Sequence, residues 1–169
     1  MRRLGAAALI FCFASAAAVQ VRAGEAAADD ILAMALNMYH EARGEGRLGM
    51  IAVGWVVLNR MADRAYPKSA RQVIYQGCQF SWVCDRRPDW PADERSWRHA
   101  LQLAAQFLRR PMPDPTRGAM WYHASWVRYP GFGPRVAKVA RIGRHVFYAR
   151  SAPTPWPLAA GPRLLFASR

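Results

Sequence analysis

Residues 48–61 carry Met50, Ile51, Val53, Trp55, Val56, Val57 and Leu58, which wrap around every side of a helical wheel. A helix that is apolar all round has no face to give to water, so this one is predicted to be buried at the centre of the fold. Its β-branched content would also suit a strand, but the run is longer than ordinary strands. The other elements are expected to pack around it.

Upstream, Ile31, Met34, Ala35 and Met38 recur at helical spacing after Asp29 and Asp30. This predicts an amphipathic helix capped by one of the two aspartates, running to about Arg43 and stopped by Gly44. Downstream, Ser69–Gln76 reads as a short helix with Val73 and Ile74 inward, and Gly77–Pro91 as an irregular loop. A helix starting at Pro91-Ala92-Asp93-Glu94 is expected to turn Trp97, Leu101, Ala104, Ala105 and Leu108 to one side and to end at Pro111. The period then changes. Ala119–His123 is strand-like, and Val136–Ile142, Gly143-Arg144 and His145–Tyr148 read as a hairpin with a two-residue turn. Helices first and a small sheet last predict an α+β fold in one domain.

The ends read differently. Met1-Arg2-Arg3, the apolar run Leu4–Val19 and the small-x-small pattern Val21-Arg22-Ala23 have the form of a secretory signal peptide, residues 1–23. Gly24–Asp30 is then a linker, 31–150 the domain, and the proline-rich 151–169 an extended tail. Export to the periplasm or cell envelope is the expectation. In such an oxidising compartment Cys78 and Cys84 can pair, the alternative being two buried thiols. Of 24 Lys plus Arg, three lie in residues 1–23, which leaves 21 against 11 Asp plus Glu, a net +10. That charge favours a polyanionic partner. Nucleic acid would explain it but not a signal peptide; for an exported chain the polyanions within reach are envelope polymers such as peptidoglycan.

The acids are few, so the stretch Tyr39–Gly46, YHEARGEG, stands out with two of them. A zinc-protease helix needs a second histidine one turn after His40, and that position is Gly44. His99, His123 and His145 are scattered, and no metal is expected. On a helix Glu41 lies within roughly 20° of Met34 and 60° of Met38, at the edge of the buried stripe. Desolvation and the negative helix end would both disfavour its anion, which suits a general acid; pairing with an arginine is the plainer alternative. Glu45 reads as a solvated residue or an N-terminal cap of the following helix.

Tyr39-x-Glu41-Ala42-Arg43-Gly44-Glu45, then Val57-Leu58-Asn59-Arg60, Gln79-Phe80-Ser81, Trp121-Tyr122-His123 and Ile142–Tyr148, in that order, resemble the catalytic domain of the SleB-type cell wall hydrolases. The resemblance spans about Ile31 to Arg150 and implies a fold similar to lysozymes and lytic transglycosylases, acting on peptidoglycan glycan strands. It implies Glu41 as general acid and Gln79, Phe80, Ser81, Tyr122 and His123 as substrate-binding residues. It implies no cofactor. Asp85 is the best second carboxylate if hydrolysis needs one, its alternative being a turn-forming aspartate. Tyr122 is preferred over its neighbour His123 as the residue facing the cleft, because adjacent strand residues point oppositely. Phe80, Trp82 and Trp90 could stack on sugars or pack in the core. Asn59 reads as a helix cap or a satisfied buried amide, and Arg144-His145 as hairpin-turn residues. A monomer is expected, and the rival reading is a non-catalytic peptidoglycan-binding protein of the same fold.

Overall fold

The computed structural model describes residues 7–133 and 135–151, with side chains from residue 23 onward. Four helices precede a three-stranded sheet: α1 (Ala7–Ala42), α2 (Gly46–Ala62), α3 (Ala70–Ile74) and α4 (Glu94–Arg109), then β1 (Trp121–Ala124), β2 (Val136–Ile142) and β3 (His145–Arg150). The α+β expectation holds. Among the described residues no helix is long and apolar enough to cross a membrane.

The all-apolar segment is α2, and Gly49 to Met61 are all buried in it. It lies in the core with α1 and α4 packed around it. Gly54 marks the closest approach: a Cβ there would sit 2.6 Å from Met38 Cε and 2.8 Å from the Phe107 ring. Trp55 reaches further, its ring edge-on to Phe107 and its Nε1 donating to Met112 O at 2.9 Å.

Two helix starts are capped by side chains. Ser69 accepts from Gln72 N at 3.2 Å, and Asp93 from Ser96 N at 3.1 Å. The buried face of α4 is Ala100, Leu103, Ala104, Phe107 and Leu108, rotated from the expected stripe, with Leu101 at the surface. Phe107 drives the rotation, because it is the largest side chain of the helix to enter the core.

The first helix departs from expectation. Instead of a linker at 24–30 and an aspartate cap, α1 runs through those positions, where Glu25, Ala26, Ala27 and Ala28 are good helix formers. Asp30 instead accepts from Arg71 N at 2.8 Å and fastens the start of α3. The proline-rich tail from residue 152 and the first six residues lie outside the described residues.

The sheet is antiparallel in the order β1-β3-β2. Ile142 pairs with His145, so the turn holds only Gly143 and Arg144, as expected. Gly143 has φ +54°, the conformation a II′ hairpin asks of its first turn residue. A register shift between Lys138 and Ala140 bends β2. The inner face sets Tyr122 opposite Phe147 and lays Phe147 against Ala52 and Val56 of α2. The outer face carries Trp121, His123 and Tyr148 beneath Tyr129 and Phe132.

Candidate active site

The last two turns of α1 organise the loop that follows α3. Asn37 Oδ1 accepts from Trp82 Nε1 at 3.0 Å, His40 Nε2 donates to Asp89 O at 2.7 Å, and Tyr39 OH accepts from Asp93 N at 2.9 Å. The His40 ring also stacks on Trp82. Cys78 and Cys84 are joined in a disulfide that encloses Gln79 to Val83. These ties bring Ser81 to Glu41.

Three donors meet the Glu41 carboxylate. Ser81 N and Ser81 Oγ both donate to Oε1 at 3.2 Å, and Tyr122 OH donates to Oε2 at 3.0 Å. Helix, loop and strand thus converge on one half-buried acid. Burial, and after it the charge and hydrogen bond of Glu41, push the Tyr122 phenol well above its ordinary range, so it remains a protonated hydroxyl. The arginine pairing that was the plainer reading of Glu41 does not occur, since the carboxylate forms no salt bridge among the described residues.

Of the residues the resemblance marked, Ser81 and Tyr122 reach the acid. Phe80 does not line a cleft: at 1 % exposure it packs beneath Tyr122 and offers no face to a sugar. Its burial follows from its position just before Ser81, where the extended backbone turns alternate side chains inward and outward. Gln79 is exposed. His123 points to the other side of the sheet, as strand alternation requires. There Nδ1 donates to Ala124 O at 2.8 Å and Nε2 accepts from Tyr148 OH at 3.0 Å. Asp85 holds its own turn, accepting from Arg87 N at 2.9 Å, which is the plainer of its two readings. Trp82 is buried, and Trp90 is exposed.

Glu45 takes the N-cap position of α2, as expected, but its side chain makes no capping bond and is not solvated. Its side chain, 6 % exposed, accepts from Arg144 Nε at 2.6 Å and Arg144 N at 2.9 Å, joining the α1–α2 junction to the hairpin turn. Burial works upward on its pKa, but those hydrogen bonds and the guanidinium charge more than offset it and hold it below the usual range. The Gly143 turn is pressed so close that a Cβ there would land on this carboxylate. Arg144 also lies 5.5 Å from the ring of Trp126, which is 68 % exposed. Sequence reasoning missed this latch because nothing local links residues 45 and 144.

Among the described residues no His, Cys, Asp and Glu cluster is arranged to hold a metal. The cell wall hydrolase family matches residues 44–148, a span that begins just after Glu41. A spore cortex-lytic enzyme of Halalkalibacterium halodurans is 34 % identical over 120 residues, covering 70 % of this chain and 34 % of that protein. The chain therefore spans about a third of that relative. Cell wall hydrolase CwlJ of Bacillus subtilis is 30 % identical over 129 residues, covering 74 % of this chain and 88 % of that one. The catalytic domain of the germination-specific lytic transglycosylase SleB from Bacillus anthracis has the same fold, with a TM-score of 0.57 and 28 % identity over 72 % of this chain and 94 % of that one. Motif order, fold and family match agree, and the chain belongs to the cell wall hydrolase family.

Proposed function

We propose that the protein cleaves the glycan strands of peptidoglycan in the cell envelope, with Glu41 as sole general acid and base. The observation that carries this reading is the convergence of Ser81 and Tyr122 on the Glu41 carboxylate. The two oxygens are not equivalent. A backbone N–H can only donate, so Oε1, held by Ser81 N, is kept as an acceptor. Oε2 faces the Tyr122 hydroxyl, which can donate or accept. The transferable proton therefore belongs on Oε2.

From Oε2 the proton passes to the glycosidic oxygen, and the bond from that oxygen to C1 of N-acetylmuramic acid breaks. Glu41, now a carboxylate, takes the proton of the sugar's C6 hydroxyl as that oxygen bonds to C1. The product is a 1,6-anhydro sugar, no water is consumed, and Glu41 ends protonated as it began. Lytic transglycosylation is favoured over hydrolysis because three of the nearby acids are otherwise engaged: Glu45 with Arg144, Asp85 with its own turn and Asp93 with the start of α4. A hydrolase of the two-carboxylate kind needs a second free acid across the bond. Ser81 and Gln79 are proposed to border the glycan.

Purified sacculi incubated with the protein test this, with released muropeptides resolved by mass. Anhydro-muropeptides are expected from the native chain and from Asp85→Asn, and none from Glu41→Gln. Reducing ends would replace transglycosylation by hydrolysis. Equal release from Glu41→Gln, or none from the native chain, would sink the reading.

A further inference from the structure

Beneath the Glu41 cluster sits a buried cation that has no counter-ion among the described residues. Arg60, near the end of α2, is 3 % exposed and forms no salt bridge among the described residues. Its Nε donates to Met120 O at 2.8 Å. The guanidinium carbon lies 5.3 Å from the centroid of the Phe80 ring and 5.5 Å from that of Tyr66, while Nη1 has no partner. Desolvating a charge without pairing it is expensive. An apolar side chain of similar length could fill the same space without that cost, so packing alone does not account for an arginine.

What Arg60 touches does account for it. Met120 immediately precedes β1, two positions before Tyr122, and Phe80 immediately precedes Ser81. One rigid planar group thus grips both segments that supply the donors to Glu41, segments some 40 residues apart in the chain. Neighbouring Asn59 reaches only one of them, through Ala119 O at 3.0 Å. We propose that Arg60 is the positioning residue of the site: by holding the Met120 carbonyl and the Phe80 ring at once, it fixes Ser81 and Tyr122 relative to each other and so seats the Glu41 carboxylate. A lysine keeps the charge, but its compact ammonium cannot both stack on a ring and direct a fixed N–H at a carbonyl. The catalytic consequence rests on the role proposed for Glu41; the positional claim does not.

The test compares the native chain with Arg60→Lys, Arg60→Gln and, as a core control on α4, Leu103→Ala. Thermal midpoint, amide exchange at Ser81 against Ser96, and turnover against sacculi concentration are measured for each. In Arg60→Lys, Ser81 exchange is expected to accelerate at least tenfold with Ser96 unchanged. Turnover per folded molecule should fall at least tenfold while the half-saturating sacculi concentration stays within twofold. Leu103→Ala should lose stability yet keep both the exchange ratio and the turnover of its folded fraction. If Arg60→Gln does not fold, Arg60→Lys carries the comparison. Parallel acceleration at Ser81 and Ser96, or native turnover per folded molecule, would overturn the proposal. Should the native chain release nothing from sacculi while Arg60→Lys still frees Ser81 alone, the glycan-cleaving reading falls and the positioning role stands.

Discussion

Tyr122 is the contact of Glu41 that can be removed most cleanly. Its ring packs 5.5 Å from Phe147 and 5.1 Å from His145, and Tyr122→Phe keeps that packing while deleting the hydroxyl. A single hydrogen bond contributes roughly 0.5–1.5 kcal/mol net, so the fold should survive. Turnover is expected to drop by more than the change in thermal midpoint explains; native turnover from the variant would show that Oε2 needs no hydroxyl partner. His145 answers to pH. Burial pushes its pKa down, with Glu45 and then Glu41 pulling part of the way back, and its buried Nδ1 has no partner among the described residues. The folded ring takes a proton less readily than the unfolded one. Stability is therefore unaffected well above the unfolded value of about 6.5 and falls as pH drops below it toward the folded value. Thermal midpoints taken from about pH 7.5 to 5 should show that decline in the native protein and a smaller one in His145→Gln; identical curves would place the effect elsewhere. Tyr122 was legible from strand alternation. His145 was not, since the same letters that spell a turn also spell a buried imidazole.

At the scale of elements, the tightest demand falls on the crossing of α2 with its neighbours. Gly54→Ala would gain up to about 1 kcal/mol of helix propensity. The added methyl meets the fully buried Phe107 ring as well as Met38, and overpacking of this kind costs roughly 1–3 kcal/mol. Net destabilisation is expected in denaturant unfolding, and a stabilised variant would mean that the ring yields freely. The loop between α3 and α4 depends instead on its disulfide. Closing so small a ring stabilises by about 2 kcal/mol in the chain-entropy account. Replacing Cys78 and Cys84 by serine should lower stability by about that amount and loosen Ser81, read as a turnover loss larger than the Tm shift alone predicts. Helix and strand existence was legible because apolar period acts locally. The orientation of α4 was not: which of two adjacent stripes turns inward depends on Gly54, on another helix, leaving room for Phe107.

For the whole molecule, the sequence order of helices and strands was enough to anticipate α+β, and the motifs grouped Glu41, Ser81 and Tyr122, which come within hydrogen-bond distance in the fold. Contacts between charges far apart in the chain escaped, because an ion pair such as Glu45 with Arg144 leaves no pattern in either neighbourhood. Arg60 did leave one, a charge inside an otherwise apolar run, and its meaning emerged only with the two segments it holds. The chain's net charge of +13 belongs to this scale as well. Exposed charges are screened within about 8 Å at physiological salt. Retention of Glu41→Gln on sacculi should accordingly weaken as salt is raised, and salt-independent retention would assign binding to apolar and hydrogen-bonded contacts.

The strand order carries a consequence in time. β3 is the last strand in the chain and the middle one in the sheet. Until it is made, β1 and β2 have no strand to pair with, and the hairpin that carries Arg144 to Glu45 cannot close. In a chain still being synthesised the sheet thus closes last, only once residues 145–150 have emerged.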